Sequence, residues 1–420
     1  MTLVNQIPVT QKLNLYIEQK PEWPGSPKII CGIRACIITF LIKLHILAIA
    51  VRSYGNVITA GKVLYGLILE KKRIIRDKFP TRYMKADKRY YWSVMTTGWP
   101  SPAFKNFIEN ELVRIRPFAG RTNHLQILNF AITSKCSLRC EHCYEWDNLN
   151  SKEVLETGQL KRVIHDFLDK GVSQIQLSGG EPINRFDDLL EVLRTAKHRA
   201  DFWLLTSGFG LDLEKARKLK QAGLTGVTIS LDHWSEAAHN HFRKNVKSFY
   251  WVKKAVLNCN RVNLLTSLSL CATKEFISHD NLWKYLRMAK LMGVGFVRIL
   301  EPRQVGRYAN KDVELSEGQL EQLRQFYLSV NSDSRYRNWP IVSYHGCHQL
   351  QYRCFAADDR FLYVDPRGEI HTCPFCRNSA GTVLSTPVDV SIERMQSRNG
   401  CSQIRHFGQD MQSQHQTMNN

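Results

Sequence analysis

Between Leu125 and Pro302 the chain alternates short apolar runs with amphipathic stretches, and this alternation restricts its fold more than any other feature. The apolar runs are Gln126–Ile132, Gln174–Leu177, Phe202–Leu205, Gly226–Leu231, Val262–Leu270 and Gly295–Leu300. Between them lie Gly158–Leu168, Asp187–Ala200, Leu213–Ala222, Ser248–Asn258 and Asn281–Met292. Strands separated by helices pair in parallel through crossover connections, so an α/β fold is expected. Six such units suit an open, partial (β/α)6 version of the (β/α)8 barrel, whose functional residues sit at the C-terminal ends of the strands.

The flanks read differently. Ile29–Val51 is long enough to cross a bilayer at about 1.5 Å per residue, but it carries Arg34, Lys43 and His45. A second apolar stretch, Val57–Leu69, runs into Glu70-Lys71-Lys72-Arg73. Residues 1–120 hold 19 Lys/Arg against 7 Asp/Glu, an excess of twelve within a total net charge of +20. Apolar helices flanked by basic residues predict a hairpin in the interface of an anionic membrane rather than a span; the alternative is a helical pair packed on the protein's own core. The sequence therefore divides into an apolar, basic helical region (1–80), a connector (81–122), the barrel core (123–335), a small cysteine-rich extension (336–402) and a disordered, Gln/Ser/Asn-rich tail (403–420). No strand pattern of a peptide-leader-binding unit is read in residues 1–120. Residues up to Pro27 lack the pattern of a secretory signal, so a cytoplasmic chain, peripheral at a membrane, is expected.

The 12 cysteines are grouped. Cys136, Cys140 and Cys143 follow the first strand, at the end where a barrel places its chemistry. Thiolates spaced in this way wrap one face of a cubane and leave one iron without a protein ligand. A structural zinc, with His142 as fourth ligand, remains open on these residues alone. Cys347, Cys354, Cys373 and Cys376 form a second group, with Phe361–Val364 and Glu369–His371 reading as a hairpin around Pro366-Arg367-Gly368. A zinc ribbon is the alternative there. Cys31, Cys36, Cys259 and Cys271 read as packing residues.

Cys136-x3-Cys140-x2-Cys143 followed by Tyr144 resembles the signature of the radical S-adenosylmethionine (SAM) superfamily. Ser178-Gly179-Gly180-Glu181-Pro182, after the second strand, resembles the family turn that receives the SAM amino group through its backbone and acidic residue. Leu205-Thr206-Ser207-Gly208 resembles a Thr-Asn-Gly strand end, with Ser207 in place of Asn. Ser230-Leu231-Asp232 and Arg243 stand where the resemblance places contacts to the SAM ribose and carboxylate, although His233 replaces a frequent Gly. Val297–Pro302 occupies the place of the adenine contact. The resemblance implies a [4Fe–4S] cluster on Cys136, Cys140 and Cys143, SAM on its open iron, and reductive cleavage to a 5′-deoxyadenosyl radical that abstracts hydrogen from a substrate. It also implies a flavodoxin- or ferredoxin-like electron donor.

Cys354-x13-Gly368-x4-Cys373 resembles the opening of the SPASM domain and its shortened relative, the twitch domain. That resemblance implies one auxiliary [4Fe–4S] cluster on Cys354, Cys373, Cys376 and Cys347, with Cys401 competing for the last place. Such extensions accompany modification of peptide or protein side chains, which is the substrate class expected here. Modification of a membrane-associated lipid or other small molecule is the second expectation. A non-enzymatic iron–sulfur or zinc protein is the third; no nucleic-acid partner is expected.

Overall fold

The alternation is realised as one mixed sheet. The computed structural model describes residues 28–74, 82–118, 120–121, 123–344, 346–347 and 360–396. Cys354, Cys401 and the expected tail lie outside the described residues. In chain order the elements are β1 (Lys28–Ile30), α1 (Ile33–Tyr54), α2 (Val57–Ile74), β2 (Tyr83–Ala86), β3 (Arg89–Tyr91), α3 (Pro102–Ile115) and β4 (Ile127–Ala131). There follow α4 (Thr157–Asp169), β5 (Gln174–Ser178), α5 (Phe186–Ala196), β6 (Asp201–Thr206), α6 (Leu213–Ala222), β7 (Gly226–Ser230), α7 (Glu236–Arg243), α8 (Ser248–Arg261) and β8 (Leu265–Cys271). The last are α9 (His279–Leu291), β9 (Phe296–Leu300), α10 (Glu317–Ser332), β10 (Ile341–Tyr344), β11 (Phe361–Val364), β12 (Ile370–His371) and α11 (Val388–Gln396).

The sheet order is β10-β9-β8-β7-β6-β5-β4-β11-β12. Every neighbouring pair is parallel except the β11–β12 hairpin. The six expected strands form its middle, as a partial barrel. The expected hairpin exists, but it is part of this sheet: Phe361 to Val364 pair with Ile127 to Phe130 of β4.

Period-two alternation divides each strand between two environments. Leu128, Phe130, Ile175, Leu177, Val227, Ile229, Val297 and Ile299 face the helices in one continuous core. The intervening residues face the barrel interior. Helix ends are set locally: Asp212 caps α6 by accepting from Lys215 N at 2.8 Å, and Ser278 caps α9 through Asn281 N. Both α4 and α10 begin with a capping box, Glu156/Gln159 and Ser316/Gln319.

The barrel interior is plugged from below by the N-terminal region. Met84, Tyr91, Val94 and Met95 pack against Ile127, Trp203, Leu265, Phe296, Ile341 and Phe361. Residues 28–118 are more than helices and connector, because β1, β2 and β3 form a three-stranded antiparallel sheet. Strands of three or four residues are too short to show periodicity, so no strand was expected there. A third core joins α1 and α2 to Tyr83, Phe104, Ile108 and Leu112. Among the described residues, α1 is long and apolar enough to cross a membrane by length and composition. Its inner face is nevertheless spent on this core.

Asp201, at the start of β6, fastens plug to barrel. It accepts from Arg89 Nη1 at 3.0 Å and from Gly98 N at 2.7 Å. Burial pushes its carboxyl up to about 6, against the lowering pull of the Gly98 N–H and Arg89. Arg89 keeps part of its surface in water, but Asp201 is wholly buried, so removing the arginine strands the carboxylate. Arg89→Ala is therefore expected to cost about 3 kcal/mol or more in urea unfolding, while Lys220→Ala, which breaks a more exposed pair with Asp87, costs under about 1 kcal/mol. With the folded pKa raised from 3.8 to about 6, this group's contribution is present below the lower value and lost as pH rises through the upper one. Asp201→Asn should flatten that limb of the stability–pH profile.

Candidate active site

Three segments meet at the C-terminal mouth of the barrel. The loop after β4 carries Cys136, Cys140 and Cys143, and the turn after β5 carries Gly179 and Gly180. They are joined by main chain: Gly180 N donates to Thr133 O and Glu181 N to Lys135 O, both at 2.7 Å. A Cβ on Gly179 (φ +134°) or Gly180 would collide with the carbonyl oxygen of Thr133 or Lys135. The glycines are needed there for backbone contact with the cysteine loop. From the other side Gly306 (φ +59°) presses on the carbonyl of Cys143, where Arg307 N donates to the same oxygen at 3.0 Å. Arg307 also donates to Arg139 O and lies 4.5 Å over the Trp146 ring. Gly306 and Arg307 were missed in the sequence, where their only signal was the position just beyond β9.

Cys136, Cys140, Cys143, Gly179, Gly180, Ser207, Ser230 and Arg243 all line one cavity. Leu300, Glu301 and Pro302 of the expected adenine segment line it too. Glu181 is placed differently from the expectation. It is buried, does not line the cavity, and accepts from Thr206 Oγ1 at 2.7 Å, Ser207 N at 2.9 Å and Ser207 Oγ. Its carboxylate clasps the end of β6 to the glycine turn. Burial raises its pKa against these hydrogen bonds. Ser207 thus has its hydroxyl turned to Glu181 while the residue still borders the cavity.

Arg243 and Asp232 form a buried pair at 2.6 Å. Burial opposes charge on both, yet each charge holds the other: Asp232 lies below the usual carboxylate range because of Arg243, His142 and His239, and Arg243 is raised by Asp232 and Cys140. Asp232 is fixed further by Cys271 N, donating to Oδ1 at 3.2 Å, while Asp232 N donates to His239 Nδ1 at 3.1 Å. Arg243 Nη1 also reaches Cys140 Sγ at 3.4 Å. Burial pushes the Cys136 and Cys143 thiols up to about 12.

The donor set fits a thiolate-bound cluster. Three cysteines open on one cavity, and a guanidinium beside one of them offsets the negative charge that thiolate ligation brings. Among the described residues no three His, Cys, Asp or Glu side chains converge on a point that could hold a single metal ion. His142, the alternative zinc ligand, lies against the Phe242 ring at 4.9 Å between centroids, and burial lowers its pKa to about 4.

The second cysteine group approaches the same mouth. Cys347 is buried just after β10, next to Gly346, which lines the cavity. Cys373 follows β12 and lines the cavity with Phe375; Cys376 N donates to Cys373 O at 3.1 Å. Neither Cys347 nor Cys376 borders the cavity. The two cysteine segments share a carboxylate that the sequence did not single out. Glu145 accepts from Tyr363 Oη, from Arg377 Nη1 at 2.8 Å and from Asn148 Nδ2 at 2.9 Å, and Arg377 also donates to Tyr144 O.

Residues 130–279 match the model of the Radical SAM superfamily. The chain therefore contains a radical SAM superfamily domain, the domain of enzymes that use a [4Fe–4S] cluster and SAM. It is 28% identical over 189 residues to the Fe-coproporphyrin III synthase of Methanosarcina barkeri, covering 44% of this chain and 47% of that protein. It is 27% identical over 194 residues to the GTP 3',8-cyclase of Aliarcobacter butzleri, covering 44% and 57%. The chain thus spans about half the length of these curated relatives. Streptococcus suis SuiB bound to precursor peptide SuiA shares the fold, with a TM-score of 0.55 at 12% identity over 82% of this chain and 80% of that one.

Removing the Glu181 carboxylate would strand Thr206 Oγ1, Ser207 N and Ser207 Oγ, at about 1–3 kcal/mol for each donor left buried. Glu181→Ala should lower the thermal midpoint and weaken SAM binding in calorimetry. The iron content after anaerobic reconstitution should be unchanged, since no cysteine is touched.

Proposed function

We propose that the chain is a radical SAM enzyme acting on a peptide or protein side chain. The observation that carries the chemistry is the convergence of Cys136, Cys140 and Cys143 with Gly179, Gly180, Ser230 and Arg243 on one cavity. Cys136, Cys140 and Cys143 would hold a [4Fe–4S] cluster, which when bound would supply the electron that cleaves SAM into methionine and a 5′-deoxyadenosyl radical able to take a substrate hydrogen. In this reading the main chain at Gly179–Gly180 receives the SAM ammonium. Arg243, held by Asp232, faces the SAM carboxylate while balancing Cys140. Ser230 and the Leu300–Pro302 strand end border the nucleoside. Met95 of the plug closes the cavity from below, away from solvent.

The substrate class is supported by the lining beneath the cysteines. Asn129, Ser178, Thr228, Ser269 and Arg298 line the same cavity beside Leu138, Leu205, Leu300 and Phe375, a mixed wall that suits the polar backbone and apolar side-chain carbons of a peptide together. The reading extends to an auxiliary [4Fe–4S] cluster of the twitch type on Cys347, Cys354, Cys373 and Cys376, supported by the presence of Cys373 in the cavity wall. An electron donor of the flavodoxin or ferredoxin class completes it.

Anaerobically reconstituted protein is expected to hold about eight irons, two cubanes. Cys140→Ala should reduce this to about four and abolish 5′-deoxyadenosine formation. Cys373→Ala should keep SAM cleavage while losing modified peptide, as mass spectrometry of the peptide would show. A tightly bound zinc at the second group would remove the auxiliary cluster and leave the first site standing. Product from a membrane lipid extract and none from peptides would overturn the substrate class.

A further inference from the structure

We propose that the outer face of the α1–α2 hairpin docks in the plane of an anionic membrane surface. Of fifteen large apolar side chains exposed among the described residues, eleven lie on these two helices. On α1 they include Ile33, Ile37, Phe40, Leu44 and Leu47, spaced as one helical stripe of about 21 Å at 1.5 Å per residue. On α2 Ile58, Tyr65 and Ile68 continue the patch. Concentration of exposed apolar area on one element marks an interaction site rather than ordinary surface scatter.

Charge selects the occupant. From Lys28 to Leu69 there is no Asp or Glu, and Arg34, Lys43, Arg52 and Lys62 are all exposed. An apolar face bordered by an excess of cations complements a surface of anionic headgroups over acyl chains. A second copy fits poorly: an isologous contact would bring the same cations from both chains together, with Glu70 at the far end of α2 as the one hairpin carboxylate to set against them.

Anchoring selects the depth. The opposite face of α1, with Ala35, Ile38, Ile42 and Ile49, is buried against the protein. Trp99 Nε1 donates to His45 Nδ1 at 2.9 Å, Thr39 Oγ1 and Tyr83 Oη are 2.8 Å apart, and Tyr54 Oη donates to Arg116 O at 2.6 Å. Crossing the bilayer would tear this face from its core, whereas lying in the interface uses only the exposed stripe. The docking is independent of which substrate the barrel takes.

The test is sedimentation of the full chain with phosphatidylcholine vesicles, with and without phosphatidylglycerol. The protein should pellet with the anionic vesicles at low salt and bind neutral ones about tenfold more weakly or less. Phe40→Glu/Leu44→Glu should abolish pelleting with unchanged circular dichroism and cluster content. Lys43→Glu/Lys62→Glu, which keeps the apolar stripe, should weaken binding to anionic vesicles alone. A supernatant protein under all lipid conditions overturns the proposal, as does a solution dimer abolished by Phe40→Glu/Leu44→Glu. Resistance of membrane-bound protein to alkaline carbonate would show a span and overturn the in-plane geometry.

Discussion

The carbonyl oxygens of Thr133 and Lys135 accept from Gly180 and Glu181 at 2.7 Å, and this pairing of loops beyond β4 and β5 determines where the site lies. Adjacent parallel strands leave their C-terminal ends side by side, but nothing in the sheet obliges the loops beyond them to touch. Two consecutive glycines remove the side chains that would keep them apart. Glu181 then turns inward and spends its carboxylate on Thr206 and Ser207, binding a third strand end to the first two. The cysteine loop is consequently held from both flanks, by the glycine turn on one side and by Gly306 and Arg307 on the other. Its thiols open toward the cavity.

The barrel is graded along its axis. At the bottom, interior positions include Ile127, Trp203, Leu265 and Phe296, closed by Met84 and Tyr91, together with Gln174, which donates to Val94 O at 3.1 Å. At the middle and top they are Asn129, Thr228, Ser230, Ser269 and Arg298. Strands alternate by residue, so the step from Ile127 to Asn129, or from Phe296 to Arg298, brings polar groups into a cavity that Leu205, Leu300 and Phe361 keep partly apolar. This explains why the N-terminal region is joined to the catalytic unit rather than appended to it. Without Met84, Tyr91 and Met95 the floor of the chamber would open to water.

The parts of the molecule legible in the sequence are those with local causes. Alternation along Ile127–Ala131 or Phe296–Leu300 and caps such as Asp212 and Ser278 act over a few residues, and the expected elements lie within a few residues of those observed. Pairings between distant segments left no such trace. Nothing local in Phe361–Val364 says that it adds to β4, more than two hundred residues earlier. Lys28–Ile30 and Arg89–Tyr91 are too short to show a period, and α7 and α10 lie outside the expected amphipathic stretches. At the site, motif order brought Cys136, Cys140, Cys143, Gly179, Gly180, Ser230 and Arg243 to attention, and all border one cavity. Glu181 shows the limit of that method: a residue type at a motif position does not say which way the side chain turns.

Glu145 has the same kind of origin and a wider reach. It stands two residues beyond Cys143, inside the loop of the first cysteine group, yet its carboxylate accepts from Tyr363 of β11 and Arg377 beside Cys376. Asn148 extends the contact, donating to Asp365 Oδ2 at 3.4 Å and accepting from Arg367. Tyr144 adds packing, with ring contacts to Tyr363 and Phe375 at about 6 Å. A buried carboxylate stripped of these donors would be left without compensation, so the two segments are held in one arrangement. The loop that presents Cys143 and the turn that presents Cys373 cannot shift independently without breaking that network. Whatever occupies the cavity between them therefore meets both cysteine groups at a separation set by Glu145, rather than one group on a rigid barrel and another on a loosely tethered appendage.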